Sequence, residues 1–209
     1  VGLRCEVDLH TGEGDRVAAI VPNIPEAVVG VLASAWLGAV WSSCSPDFGA
    51  QGILDRFGQI EPELLIAADG YRFKGCVIDI RDKVREVWNA LDPACVNCLL
   101  IAWQETGGLE GALPWGDQLD HDLATPPFAQ LAFDHPLYIL FSSGTTGRPK
   151  CIVHGAGGTL LQHLKEHRLH TNIHRADRLF YFTTCGWMMW NWLVSGLASG
   201  TTLILFDGN

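Results

Sequence analysis

An α/β fold, with mostly parallel sheets flanked by helices, is what the sequence predicts, and three observations carry that reading. Short runs of near-continuous apolar residues, such as RVAAIV and LLIAA, have the length and composition of strands buried on both faces. Between them lie segments whose apolar residues recur three and four apart, the spacing of an amphipathic helix. The two kinds alternate along the chain, which is the order of a parallel sheet covered by helices on both sides.

Taken in order, residues 15–22 (DRVAAIVP) read as the first strand. Residues 24–38 read as a helix, with Asn23 as N-cap, Pro25 in the first turn and Gly38 as the stop. A short buried strand follows at 39–44, then a helix over 50–60 with Ile53, Leu54 and Phe57 on one face. Residues 63–69 (ELLIAAD) form a strand. Residues 79–91 form a helix carrying Ile80, Val84, Val87 and Leu91 at helical spacing, and 97–103 another strand. Residues 104–136, rich in Gly, Pro and Asp, read as a long surface excursion. The pattern then resumes with a strand at 137–141, a helix at about 156–169, a strand at 178–183, a helix at about 186–199 and a strand at 202–206.

Composition narrows the function classes. Of 209 residues, 48% are hydrophobic and 18% charged, which is globular and not disordered. The formal net charge of −9 argues against a wide nucleic-acid or anionic-membrane contact, since both need a basic face. A single nucleotide needs only a local patch. The seven cysteines are odd in number and irregular in spacing, which favours reduced thiols in a cytoplasmic protein. No signal peptide is visible at the start, and the longest apolar stretches are too short and broken to span a bilayer. Both ends read as cuts through a longer protein.

FSSGTTGRPK, residues 141–150, stands at the carboxyl end of an apolar strand, where open parallel sheets bind their ligands. Glycines let successive backbone N–H groups turn inward on an anion. Ser142, Ser143, Thr145 and Thr146 add hydroxyl donors, Gly144 and Gly147 add freedom, Pro149 stiffens the exit and Lys150 adds a cation. The spacing is not that of the phosphate loop G-x-x-x-x-G-K-[ST], because Cys151 stands where Ser or Thr belongs.

Other stretches are weaker. In TTCGWMMWNW, Trp187 and Trp190 are three apart and share a face if the segment is helical; periodicity alone favours core. His163, His167, His170 and His174 fall on one side of a helix, but HLKEH is not a metal-binding H-E-x-x-H, so a structural, partly solvated face is expected and no metal. Residues 41–75 read as βαβ scaffold. CVNC at 95–98 lacks a second pair and reads as inert cysteines.

SSGTTGRPK also resembles the signature of the adenylate-forming superfamily of acyl-CoA synthetases, luciferases and peptide-synthetase adenylation domains. The resemblance implies that Ser142, Ser143, Gly144, Thr145, Thr146, Gly147 and Lys150 hold the β- and γ-phosphates of ATP, with Lys150 catalytic. GWMMWNW and GGTLLQHLKEH are similar to the acetoacetyl-CoA synthetase branch of that superfamily, and W-S-S-x-S-P-D-F-G to the acetoacetyl- and acetyl-CoA synthetase group. That implies an acyl pocket of Cys185, Trp187, Met188 and Trp190, whose rings suit a four-carbon acid. An indole N–H is the expected partner of a keto oxygen. It also implies coenzyme A contacts at the turn near Phe48–Gly49 and at Arg72, with Lys74 close by.

The reaction so implied joins acetoacetate to AMP with ATP and Mg²⁺, then passes the acyl group to coenzyme A. The partners are small molecules, with no nucleic acid and no membrane; oligomeric state is open. Residues 1–175 are expected to form a first α/β subdomain and 176–209 the start of a second, both within a partial N-terminal domain. The Tyr-x-x-Thr-Glu motif, the ribose-binding aspartate, the hinge and the C-terminal lysine of that family are not found in these 209 residues, and the C-terminal domain is expected to lie outside this piece. The piece alone is therefore expected to make no acyl-CoA. A synthetase for propionate or butyrate, a phosphate-loop NTPase and a non-catalytic nucleotide-binding remnant are the alternatives.

Overall fold

The computed structural model describes residues 2–3, 11–91, 97–120, 127–142 and 147–208. The elements run β1 (Gly2–Leu3), β2 (Arg16–Ile20), α1 (Pro25–Leu37), β3 (Val40–Cys44), α2 (Ala50–Phe57), β4 (Leu64–Ala68), β5 (Gly70–Phe73), β6 (Cys76–Asp79), α3 (Arg81–Ala90) and β7 (Asn97–Ile101). They continue with β8 (Leu113–Pro114), β9 (Leu119–Asp120), β10 (Pro136–Phe141), β11 (Cys151–Gly155), α4 (Ala156–Lys165), β12 (Arg178–Phe180), α5 (Met188–Ser195) and β13 (Thr202–Ile204).

The main sheet has seven strands in the order β11-β10-β3-β2-β4-β7-β8. Its pairs are parallel except β10–β11, which is antiparallel. Continuous apolar runs arise because both faces are covered. Val17 and Ala19 of β2 pack with Ala27, Val28 and Val31 of α1, whereas Ala18 and Ile20 pack with α2 and α3 through Ile53, Phe57, Val84 and Val87. Ile53, Phe57, Val84 and Val87 are each 0% exposed. Burial of one such side chain contributes about 1.5–3 kcal/mol. Gly30 lets α1 approach β3: a Cβ there would lie 3.0 Å from the Trp41 ring. Gly38 stops α1 as expected, in the left-handed region at φ +78.

Several details differ from the expectations. Asn23 does not cap α1; the N-cap is Ile24, without a side-chain bond. Instead Asn23 Oδ1 accepts from Trp190 Nε1 at 2.9 Å. The excursion after β7 is not all surface. Leu109 and Trp115 are buried, and β8 pairs with β7. Asp69, 0% exposed, clasps its start by accepting the backbone N–H of Gln104 and of Thr106, each at 2.8 Å. The β5–β6 hairpin has no counterpart in the sequence pattern, because its alternation is broken by Arg72, Lys74 and Gly75. The arm after the FSSGTTGRPK turn is an exposed edge strand, with Ile152 and Val153 47% and 57% exposed. A π-helical turn at Glu166–His170 follows α4. Strand β12 ends at Phe180 and pairs with β13 in a separate two-stranded parallel sheet.

Candidate functional site

The FSSGTTGRPK segment is the turn of the β10–β11 hairpin. Phe141 and Cys151 are its last paired residues. Beyond them, Ser142 N–H donates to Lys150 O and Lys150 N–H donates to Ser142 Oγ, both at 3.0 Å. Ser142 and Lys150 thus close the neck of the turn, and among the described residues the hydroxyl of Ser142 accepts this bond and donates none. Gly147 and Lys150 are exposed, while Pro149 is buried. Ser143, Gly144, Thr145 and Thr146 lie outside the described residues.

One residue that sequence reading missed braces this neck. Gln59, just past α2, donates from Nε2 to Pro149 O at 2.8 Å and to Asp55 O at 2.6 Å. Its Oε1 lies 3.8 Å from the Cys151 thiol. Both neighbours of Lys150 are therefore tied to the same side chain. A lone glutamine 90 residues away carries no motif that would have revealed it.

The segment leading into α5 sits on the carboxyl ends of β2 and β3. Ser43 Oγ donates to Cys185 O at 2.6 Å and accepts from Trp41 Nε1 at 3.1 Å. The Cys185 thiol reaches Pro22 O at 3.2 Å. Trp190 stacks on Trp41 with centroids 6.4 Å apart, and its indole N–H is taken by Asn23. Cys185 and Trp190 are both 0% exposed, and neither lines either of the two clefts described below. Burial holds the Cys185 thiol well above the ordinary range, so it is an inert packing group. Trp187 and Met188, by contrast, are 64% and 44% exposed. Trp187 is the N-cap of α5 with extended backbone, so the helical rule that would put it on the face of Trp190 does not apply.

Trp187, Met188 and Met189 line a cleft of about 650 Å³ with Phe48, Arg56 and Phe141, and with His154 of β11. Phe141 places this cleft at the foot of the hairpin neck. Burial holds His154 below its usual value, so it stays neutral at pH 7, with its ring 4.9 Å from that of Tyr138.

A second cleft, of about 230 Å³, is lined by Arg72 with Ser45, Asp47, Tyr71 and Asp207. Arg72 lies on β5 and is exposed. Gly49 is the exposed N-cap of α2, and Lys74 is in the β5–β6 turn with its Nζ 5.4 Å from the Phe73 ring; neither lines this cleft. The structure brings Arg72 to the Ser45–Asp47 turn and leaves the other two outside.

The histidine stripe divides. His170 and His174 are exposed, whereas His163 and His167 are buried against α5. Ser195 Oγ donates to Trp192 O at 2.7 Å, so the His163 Nδ1–H is the donor in its 2.9 Å contact with Ser195 Oγ. His167 Nε2–H donates to Trp192 O at 3.1 Å. Burial first, and then the neighbouring His167, push His163 down to about 4. Burial pushes the Cys98 thiol up to about 12, and Cys95 lies outside the described residues. Among the described residues no three His, Cys, Asp or Glu side chains gather to hold a metal ion. No helix of the described residues is long and apolar enough to cross a membrane.

With this geometry in hand, comparisons with known proteins agree with one another. A family model described as AMP-binding enzyme matches residues 2–209. The chain is 56% identical over 204 residues to the acetoacetyl-coenzyme A synthetase of Rhizobium meliloti (strain 1021), covering 95% of this chain and 31% of that protein. It is 47% identical over 208 residues to the acetoacetyl-CoA synthetase of Mus musculus, covering 94% of this chain and 31% of that one. The solved acetoacetyl-CoA synthetase from Streptomyces lividans superimposes with a TM-score of 0.94 at 49% identity, over 99% of this chain and 32% of that one. The chain spans about a third of the length of the relatives it matches.

Proposed function

The chain belongs to the AMP-binding enzyme family, and on that premise we propose that it forms part of an AMP-forming acetoacetate–CoA ligase. The observation that carries the proposal is the hairpin turn, closed by Ser142 and Lys150, standing beside an apolar cleft walled by Trp187 and Met188. One end suits phosphates and the other a short acyl chain. The acetoacetyl-CoA synthetases among its relatives support the choice of acid.

The chemistry is that of a poor leaving group made good. A carboxylate resists attack by a thiol, because its oxygen leaves as an unstable anion. ATP supplies AMP as the replacement: a carboxylate oxygen bonds to the α-phosphorus and pyrophosphate departs. The thiol of coenzyme A then bonds to the acyl carbon and AMP leaves. In this scheme Lys150, Gly147, the Ser142 hydroxyl and the backbone of Ser143 to Thr146 hold the departing pyrophosphate and neutralise its growing charge. Gln59 and Ser142 fix the direction in which Lys150 leaves the neck. Trp187, Met188 and Met189 bound the acyl chain, with Cys185 and Trp190 as the packing behind them. Arg72 is assigned to the nucleotide end of coenzyme A, whose phosphates want cations, and Gly49 and Lys74, outside its cleft, are kept as further contacts. No ligand of this chain is assigned to the magnesium ion that travels with ATP.

Residues 176–209 are proposed as the start of a second subdomain, after a first at 1–175; the separate β12–β13 sheet supports the division. Cys44, Cys76, Cys98, Cys151 and Cys185 are all unpaired, which supports a reducing, cytoplasmic setting.

The test is acid-dependent exchange of labelled pyrophosphate into ATP by the full-length gene product. Exchange with acetoacetate above that with propionate or butyrate is expected. Equal or greater exchange with those acids would reassign the substrate, and no exchange with any acid would leave a binding remnant. The 209-residue chain alone is expected to form no acyl-CoA.

A further inference from the structure

The geometry points to Arg56 as the binding residue for an oxyanion, carboxylate or phosphoryl, carried by a ligand in the cleft beside the hairpin. This rests on the acyl-adenylate reading above and adds a residue which that reading did not require.

Arg56 stands in the last turn of α2, one residue before the buried Phe57. Its Nη1 donates to Gly52 O at 2.6 Å. Its guanidinium lies over the Phe48 ring at 4.8 Å and 6.0 Å from the Phe141 ring. Two aromatic faces and one backbone carbonyl thus hold the planar group in place. None of these partners neutralises it. Among the described residues no carboxylate pairs with it, and none lines the cleft. Five N–H donors in a rigid fork, less the one on Gly52, leave most of the fork uncommitted. A half-buried cation without a counter-ion is unfavourable, and an anion arriving from solution relieves that cost.

Position makes the anion specific. Phe141 ends β10, so the guanidinium lies next to the neck that Ser142 and Lys150 close. Trp187 and Met188 form another wall of the same cleft. His154 is the other ionisable lining residue, and burial keeps it neutral. Arg56 is therefore the one lining residue charged at neutral pH. A fork fits two oxygens of a carboxylate or a phosphoryl group better than a single carbonyl. The carboxylate of the acid and the phosphoryl oxygens of the nucleotide both present that chemistry.

The experiment uses the full-length gene product, its Arg56→Gln form, which keeps a donor for Gly52 O, and its Arg56→Lys form, which keeps charge without the fork. Acetoacetate and pyrophosphate are titrated separately, and thermal midpoints are recorded. Arg56→Gln is expected to bind one probe at least tenfold more weakly with an unchanged midpoint, and Arg56→Lys to recover part of the loss. Loss confined to acetoacetate identifies the carboxylate; loss confined to pyrophosphate identifies the phosphoryl group. Unchanged binding of both probes overturns the inference. So does equal loss of both with a lowered midpoint in both variants, which assigns Arg56 to the scaffold. Native exchange with acetoacetate beside unaltered binding by Arg56→Gln fells the inference and keeps the functional reading. Native protein without exchange, but with probe binding that Arg56→Gln loses, does the reverse. Native protein that binds neither probe ends both.

Discussion

Two regions of one short motif behave in opposite ways. Ahead of α5, Trp187 is 64% exposed and stands at a cleft; inside the first turn of α5, Trp190 is 0% exposed and stacked on Trp41. They are three residues apart and chemically identical. Backbone makes the difference: Trp187 is still extended when the helix begins. An extended residue and a helical one project in different directions, so a single run of rings serves both as a wall and as its foundation. A motif is therefore not a list of equivalent contacts.

Cutting the foundation is the severest way to break this comparison. Trp190→Ala leaves a ring-sized void between β3 and α5, and an unfolding titration of the full-length protein should show a loss of about 3–5 kcal/mol. A value near zero would mean that the Trp41–Trp190 stack holds nothing. Next comes Asn23→Leu, which keeps bulk but strands the Trp190 N–H in the core. A loss of about 1–3 kcal/mol is expected on the same titration.

Acid sharpens the comparison more gently. His163, under the far end of α5, is held at about 4 in the folded protein against 6.5 for a free histidine. The unfolded chain takes the proton first, so stability is full above pH 6.5 and falls as pH drops from 6.5 towards 4. Burial lowers His154 and His167 as well, so the slope is shared. Unfolding midpoints measured across that window should decline, and His163→Gln should make the decline shallower; an equal slope would remove His163 from the account. The smallest effect on stability belongs to Trp187→Ala, expected within about 0.5 kcal/mol of native. On the proposed ligase reading, its effect in the full-length gene product should fall on substrate choice instead. The ratio of turnover with a five- or six-carbon acid to that with acetoacetate should rise about tenfold, as expected when a hydrophobic pocket is enlarged. A collapse in stability with no change in ratio would merge the two tryptophans into one role.

Much of the fold is legible where burial dictates the pattern. Strands β2, β3, β4 and β7 announce themselves because both faces are covered, leaving short, mostly apolar runs in which polar residues such as Ser42 and Ser43 are few and buried. Helix α3 is as clear, since Ile80, Val84, Val87 and Leu91 are all buried at helical spacing. What escaped is what depends on distant partners. Asn23 has the composition and position of a cap, but an indole 167 residues later has prior claim on its oxygen. Leu109 and Trp115 sit in a Gly-rich stretch that looks like surface until Asp69 draws it against the sheet. The residues of the β10–β11 turn suggest an anion loop, whereas its braces, Gln59 and the Ser142–Lys150 closure, are matters of geometry that no spacing shows.

The hydrogen bond between Asn23 and Trp190 has an evolutionary corollary. A lineage that replaced Trp190 with glycine would orphan the Asn23 side-chain oxygen, and one that lost Asn23 first would orphan the indole. Either order passes through a weakened intermediate. The two positions are therefore epistatic, and any change at Trp190 constrains a residue 167 positions away.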